Sequence, residues 1–217
     1  MILGLEIGSA EIKAGLVSES GELIRTERTR TPDSLARFGY DLRSLIGGFL
    51  SSAPRAIGIG CSGIVNPEDS MVEGLSGRLN YLEGRYLAEF LPANLPIYTD
   101  SDARAALAGE MAWGVASGRS NAILLMLGDS VTGAVLADGK LLRGASGAFA
   151  NLGHYTLDPL GPMCSCGNSG CLETYFSIRA IEAEAAALLR RGASVRWAEY
   201  APSCEEIFQA AGEGDPA

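Results

Sequence analysis

Hydrophobic and polar positions alternate from the first residues of the chain. Residues 2–8 are apolar around Glu6 and end at Gly8-Ser9, while residues 12–18 and 22–28 repeat the strand pattern and meet at Ser20-Gly21, a favoured hairpin turn. Three antiparallel strands are therefore predicted at the start. The period then lengthens: Leu35, Phe38, Leu42, Leu45, Ile46 and Phe49 recur at helical spacing, with a start signal at Thr31-Pro32-Asp33. The apolar run Ala56 to Cys61 leads into Ser62-Gly63 and reads as a buried strand. This order predicts a mixed sheet with a helix on one face. Residues 66–83 are turn-rich and mostly polar, 86–91 read as a short helical piece, 96–99 as a strand, and Asp102 to Trp113 as a helix of small residues.

The opening pattern then recurs. Residues 121–127 form a strongly apolar strand, Gly128 to Val131 a turn, and residues 132–137 a second strand, with a hairpin signal at Asp138-Gly139 before Leu141-Leu142. Two strand-turn-strand units predict two similar lobes, residues 1–117 and 118–217, with the boundary near Ser117 to Ser120. Leu172 to Leu189 is alanine-rich and helical, and Glu205 to Ala211 gives a shorter helical pattern.

A length of 217 residues is enough to bury a substantial core without disulfide staples. The first residues do not resemble a signal peptide and no apolar stretch reaches membrane-spanning length, so a cytoplasmic protein is expected. The net charge of −9 argues against a nucleic-acid surface, which needs clustered Lys and Arg.

The most specific chemistry lies in one loop. His154, the only histidine, precedes Cys164, Cys166 and Cys171 within a segment rich in glycine and proline. Three thiolates and an imidazole suit a closed tetrahedral zinc site. Reduced buried cysteines or a disulfide, with His154 as an ordinary polar residue, are the alternatives. Cys61 and Cys204 lie far away in sequence and read as buried or free thiols.

Two further features point to phosphate chemistry. Gly-containing turns between strands, one per lobe, are how two-lobed phosphotransferases hold nucleotide phosphates through backbone N–H groups. Asp102, at a strand end and a helix start, is placed to accept a proton from a substrate hydroxyl. Asp100, Ser101 and Asp102 are equally good helix caps, and local sequence favours that reading.

Together these residues resemble the ROK family (repressor, open reading frame, kinase). The resemblance is carried by Gly153-His154, Cys164, Cys166-Gly167, Gly170-Cys171 and Glu173, matching the family's Gly-His and CxCGxxGCxE, by Lys140 to Gly144, and by Asp102-Ala103. It implies an α/β, actin-like ATPase (ribonuclease H-like) fold of two lobes with mixed sheets. The family usually continues for roughly another eighty residues, so the C-terminal part with much of the nucleotide pocket is expected to be incomplete. The implied activity is ATP-dependent phosphorylation of a hexose or N-acetylhexosamine, or sugar sensing in a regulator. Asp102 is the implied base, and Asn151, His154 and Glu173 contact the sugar. Glu6, Gly8, Gly128 and Gly133 lie around MgATP, and a structural Zn2+ sits on His154, Cys164, Cys166 and Cys171. A homodimer is also implied.

The departures from the family are specific. The first phosphate loop, usually Asp-x-Gly-Gly-Thr-Lys, reads Glu6 to Glu11, losing a hydroxyl and a cation. The second keeps only Gly128 and Gly133 at its ends and carries Asp129. Both changes place carboxylates near phosphates, which weakens ATP binding. Asn151 stands for a sugar-binding glutamate, Arg104 for the asparagine beside the base, and Ser62-Gly63 for Pro-Gly.

Overall fold

Side-chain alternation along the first strands decides the architecture. In the computed structural model, which describes residues 1–66, 68–75, 77–92, 94–191, 197 and 200–214, strand β1 (Ile2–Ile7) buries Leu3, Leu5 and Ile7. Strand β2 (Glu11–Val17) buries Ile12, Ala14 and Leu16, and pairs antiparallel with β1, placing Leu5 opposite Ala14 and Glu6 opposite Lys13. Strand β3 (Leu23–Arg30) closes that edge antiparallel to β2. Its charged side chains suit an edge that must not recruit another strand.

The buried face is covered by helix α1 (Leu35–Leu50), which turns Phe38, Leu42, Leu45, Ile46 and Phe49 inward. It begins slightly later than the start signal at residues 31–33 predicts, because Thr31 has another task. Thr31 is buried and its hydroxyl donates to the Gly8 carbonyl at 2.7 Å, so Ser34 takes the N-cap position. Strand β4 (Ile57–Cys61) runs parallel to β1 and adds Ile57, Ile59 and Cys61 to the same core.

The turn-rich stretch that follows holds more order than its sequence suggests. Strands β5 (Ile64–Val65), β6 (Met71–Glu73) and β7 (Arg85–Tyr86) form a small antiparallel sheet, with 3₁₀ turns at Gly77–Leu82 and Leu87–Phe90. Two- and three-residue strands are too short to show alternation, and the helical piece predicted at 86–91 is the second of these 3₁₀ turns. Strand β8 (Ile97–Ser101) lies parallel to β4 and completes a five-stranded sheet in the order β3-β2-β1-β4-β8, in which β2 alone runs opposite. Helix α2 (Asp102–Trp113) leaves β8 without a loop.

A second sheet has the order β11-β10-β9, from β9 (Ala122–Leu127), β10 (Val131–Ala137) and β11 (Lys140–Leu141). Asp138 and Gly139 both take positive φ, as a type I′ hairpin requires. The helix predicted from 172 to 189 is two helices, α3 (Glu173–Phe176) and α4 (Ile178–Arg190). Ser177 breaks them by taking extended backbone and accepting from the Ala180 N–H as the N-cap of α4. Helix α5 (Cys204–Gly212) starts at a capping box of Ser203 and Glu206.

The chain divides into two compact units, Met1–Leu124 with Ala134–Ala150, and Leu125–Gly133 with Asn151–Ala217. This division crosses the β9–β10 hairpin, whereas the sequence pattern places a boundary at 117/118. No helix among the described residues is long and apolar enough to cross a membrane.

The α1 face sets the stability of the first unit. Phe49 is fully buried there, so Phe49→Ala should cost about 3–5 kcal/mol, read as a lowered urea midpoint with an unchanged m-value.

Candidate functional site

The second unit gathers the four metal-type side chains. A ring nitrogen of His154 and the Sγ atoms of Cys164, Cys166 and Cys171 all lie within 4.8 Å of one another. Cys164 Sγ is 3.5 Å from His154 Nδ1, and Cys166 Sγ is 3.6 Å from Cys171 Sγ, with all three cysteines free. Zn–S and Zn–N bond lengths in a tetrahedron give edges of about 3.8 Å between sulfurs and about 3.5 Å between sulfur and nitrogen. Donor set and spacing therefore both fit such an ion, and the disulfide alternative does not apply.

Close backbone approaches hold the ligands there. At Gly170, φ is +64°, and an added Cβ would lie 1.7 Å from the Asp158 carbonyl oxygen; at Gly153 it would lie 2.0 Å from that of Val131. The Cys164 N–H donates to the Asn168 carbonyl at 2.8 Å and the Leu172 N–H to that of Tyr155 at 2.9 Å, closing the loop on itself. Burial pushes the Cys171 thiol up to about 12, and raises Cys164 too, while the Asn168 backbone amide lowers Cys166. Without a cation the trio therefore resists full ionisation; a bound cation would favour the thiolates.

Glu173, at the start of α3, lies against this cluster. Its Oε1 is 3.4 Å from Cys164 Sγ, 3.4 Å from the Ser165 hydroxyl and 3.8 Å from His154 Nδ1. Asn151 is exposed, and its carbonyl accepts from the His154 N–H at 3.1 Å.

In the first unit, Asp102 sits at the first position of α2, where β8 ends. The capping role belongs to its neighbour: Ser101 is the N-cap, with its hydroxyl accepting from the Arg104 N–H. Asp102 Oδ1 accepts from the Ala103 N–H at 2.7 Å and Oδ2 from the Ser62 hydroxyl at 3.1 Å. Burial raises the Asp102 carboxyl above its ordinary value and the nearby Glu6 carboxylate adds to the shift, while those two hydrogen bonds and Arg104 oppose it. A carboxylate made more basic by partial burial is suited to accept a proton.

The β1–β2 turn stands beside it. The Gly8 N–H donates to the Glu11 carbonyl at 3.0 Å, and the Ser62 N–H donates to the Ile7 carbonyl at 3.1 Å, linking the end of β1 to the residue that holds Asp102. The Glu6 carboxylate accepts from Lys13 Nζ through both oxygens, at 3.2 and 3.3 Å. Glu11 faces Arg28 at 3.5 Å. In the second unit Gly128 and Gly133 flank the β9–β10 turn; the Gly128 N–H donates to the Ser130 carbonyl at 3.1 Å and its carbonyl accepts from the Ile178 N–H at 2.9 Å. Glu6, Gly8 and Asp102 are thus assembled in one unit, and His154, the three cysteines and Glu173 in the other.

The profile of the ROK family matches residues 2–217. The chain belongs to the ROK family. Among relatives of this ROK chain, a glucokinase of Streptomyces coelicolor is 33% identical over 220 residues, covering 100% of the chain and 66% of the relative. A xylose repressor of Caldicellulosiruptor bescii is 32% identical over 234 residues, covering 98% of the chain and 56% of the relative. Of solved structures, a ROK glucokinase from Streptomyces griseus in complex with glucose and AMPPNP superposes with a TM-score of 0.80 at 29% identity, over 99% of the chain and 72% of that structure. The fold is the actin-like ATPase fold, and this ROK chain spans 66% of the length of that glucokinase and 56% of that of the xylose repressor.

One group in this ROK protein was not evident from pattern. Arg104 is almost fully buried and satisfies its guanidinium on Asp100 Oδ1 at 2.5 Å, on the Gly147 carbonyl at 2.9 Å and on the Val65 carbonyl at 3.5 Å. Arg143 reaches the other oxygen of Asp100 at 2.8 Å. Only the i,i+4 spacing of Asp100 and Arg104 hints at the pair; the contacts to residues 65, 143 and 147 are long-range. Ser62 was likewise visible only as a departure from Pro-Gly. Because removing one partner strands buried polar groups, Arg104→Ala should cost about 3 kcal/mol or more, and Arg104→Lys should restore little, lacking the planar fork. Urea unfolding of both variants checks this.

Proposed function

We propose that this chain carries the sugar-binding and base elements of an ATP-dependent kinase that phosphorylates a hydroxyl of a hexose or N-acetylhexosamine. The observation that carries the reading is the Asp102 carboxyl, released from capping by Ser101, oriented by Ser62, and made more basic by burial. Asp102 accepts the proton of the attacking hydroxyl. Asn151, Glu173 and the free Nε2 edge of His154 bind the sugar, while Glu6, Gly8, Gly128 and Gly133 surround MgATP. His154 Nδ1 and the three sulfurs would hold Zn2+, which would supply a fixed charge and a cross-link. A closed set of four protein ligands would suit an orienting role rather than activation of water. A homodimer and a cytoplasmic setting belong to the same reading.

A second reading, a sugar-sensing domain without catalysis, is favoured by the carboxylates of Glu11 and Asp129 in the phosphate turns. The likeness to a xylose repressor over 98% of the chain supports it too. Calorimetric titration with glucose, N-acetylglucosamine and N-acetylmannosamine, with and without MgATP, separates the two. The kinase reading expects nucleotide binding and transfer of phosphate, with Asp102→Asn lowering kcat by about 10²–10⁴-fold and sparing sugar affinity. Sugar binding with no nucleotide binding sinks it in favour of the sensor.

The pH profile is a separate check. Because Asp102 acts as the ionised base, kcat/KM should rise with pH through a midpoint above the ordinary carboxylate value of about 4. Ser62→Ala removes a hydrogen bond to the ionised form and should move that midpoint further up. Metal analysis should find about one zinc per chain, and stripping it should lower the thermal midpoint. A preparation that is well folded and metal-free as purified, without any chelator, refutes the site.

A further inference from the structure

The turn between β1 and β2 leads into Glu11 and, read as sequence, lacks the cation that the family resemblance implies at that position. The β2 strand places another close by. Lys13 is two residues on, so it projects from the same sheet face as position 11, displaced by roughly 7 Å along the strand. It stands directly opposite Glu6 in the β1–β2 ladder, and its ammonium contacts both oxygens of that carboxylate at 3.2 and 3.3 Å. Both side chains are about half exposed, at 52% and 48%. An exposed pair of this kind is held weakly, so the four-carbon lysine stem is free to exchange one anion for another.

Glu11 is meanwhile compensated. In the β2–β3 ladder Arg28 stands opposite Lys13, diagonal to Glu11, and faces the Glu11 carboxylate at 3.5 Å. The face that begins at the turn therefore sets Lys13 and Arg28 against Glu6 and Glu11, rather than presenting two uncompensated carboxylates. The turn itself is fixed, by the Thr31 hydroxyl on the Gly8 carbonyl and the Thr31 N–H on the Ala10 carbonyl at 2.9 Å. A cation beside a fixed turn is a better anion receiver than one on a loose loop, because little ordering remains to be done on binding.

We infer that Lys13 is the phosphate-binding cation of this turn, parked on Glu6 when no phosphate is present and transferred to the polyphosphate of a nucleoside triphosphate when it binds. This rests on the kinase reading. In that exchange Glu6 is freed as the ammonium leaves, so the carboxylate is available to a hydrated Mg2+ that accompanies the phosphates. Arg28 partly offsets the Glu11 charge beside the turn.

Calorimetric titration of the full chain with MgATP, with magnesium tripolyphosphate and with sugar tests this in four proteins: wild type, Lys13→Met, Lys13→Arg, and the transposed Glu11→Lys/Lys13→Met. Lys13→Met should weaken both phosphate probes by about 10- to 100-fold, the range for a hydrogen bond to a charged group. Sugar affinity should hold, and the thermal midpoint should barely move. Lys13→Arg should recover part of the loss, and the transposed variant most of it, since it returns the cation to position 11. Wild type and Lys13→Met binding MgATP equally well would overturn the inference and leave the kinase reading standing. A wild type that binds sugar but neither phosphate probe would overturn both.

Discussion

Burying one face of β1 and β2 leaves no choice about what their other face carries, and this constraint governs the first unit. With Leu3, Leu5, Ile7, Ile12, Ala14 and Leu16 turned toward α1, residues Glu6, Glu11 and Lys13 must project from the opposite side. A slip of one residue would bury three charges and expose six apolar side chains. The positions of the ionisable groups are thus as firmly set as the core. Parallel pairing adds the second coordinate: β1, β4 and β8 end at the same edge, which brings Gly8, Ser62 and Asp102 into one neighbourhood. Ligand sites in open α/β sheets form at such carboxyl ends.

The metal loop is built on a different economy. It has little apolar core of its own, and Met163 and Leu160 are largely exposed. Its shape comes from backbone hydrogen bonds, two isolated bridges at Thr156–Cys171 and Met163–Ser169, and backbones packed too closely for a side chain at Gly153 and Gly170. Local hydrogen bonding and donor atoms thus replace hydrophobic burial as the organising force. Such a loop gains more from a cross-linking cation than a sheet core would.

The parts legible in the sequence are those whose signal is periodic or local. The α1 stripe, the alternation of β1 and β2, the Asp138-Gly139 hairpin, the start of α2 and the metal-ligand spacing each declare themselves within a window shorter than one element. What escaped is long-range or too short to repeat. The β5-β6-β7 sheet has strands of two or three residues, so no period develops. The break at Ser177 follows from competition between one cap and continued helix in an alanine-rich run. Arg104 reads as a helix residue in sequence, yet its partners lie at residues 65 and 147, reached only after folding. At Glu11 the local reading saw a carboxylate without its neighbour, because Arg28 arrives across a strand pair. Asp102 shows the reverse: three candidate caps in a row were equivalent in sequence, and backbone geometry selected Ser101.

Cys61 closes β4 directly under Ser62, fully buried, with its thiol pushed up to about 12, mainly by burial and further by Asp102. At neutral pH it is scarcely ever a thiolate, and the thiolate is what an alkylating reagent attacks. Cys204 is half-buried and raised in the same direction. The chain is therefore chemically partitioned: Cys166 is exposed and lowered, while Cys164 and Cys171, buried and raised, become reactive only when their loop opens. Cysteine alkylation of the native protein becomes a clock for the opening of one loop, with the sheet core silent in the background.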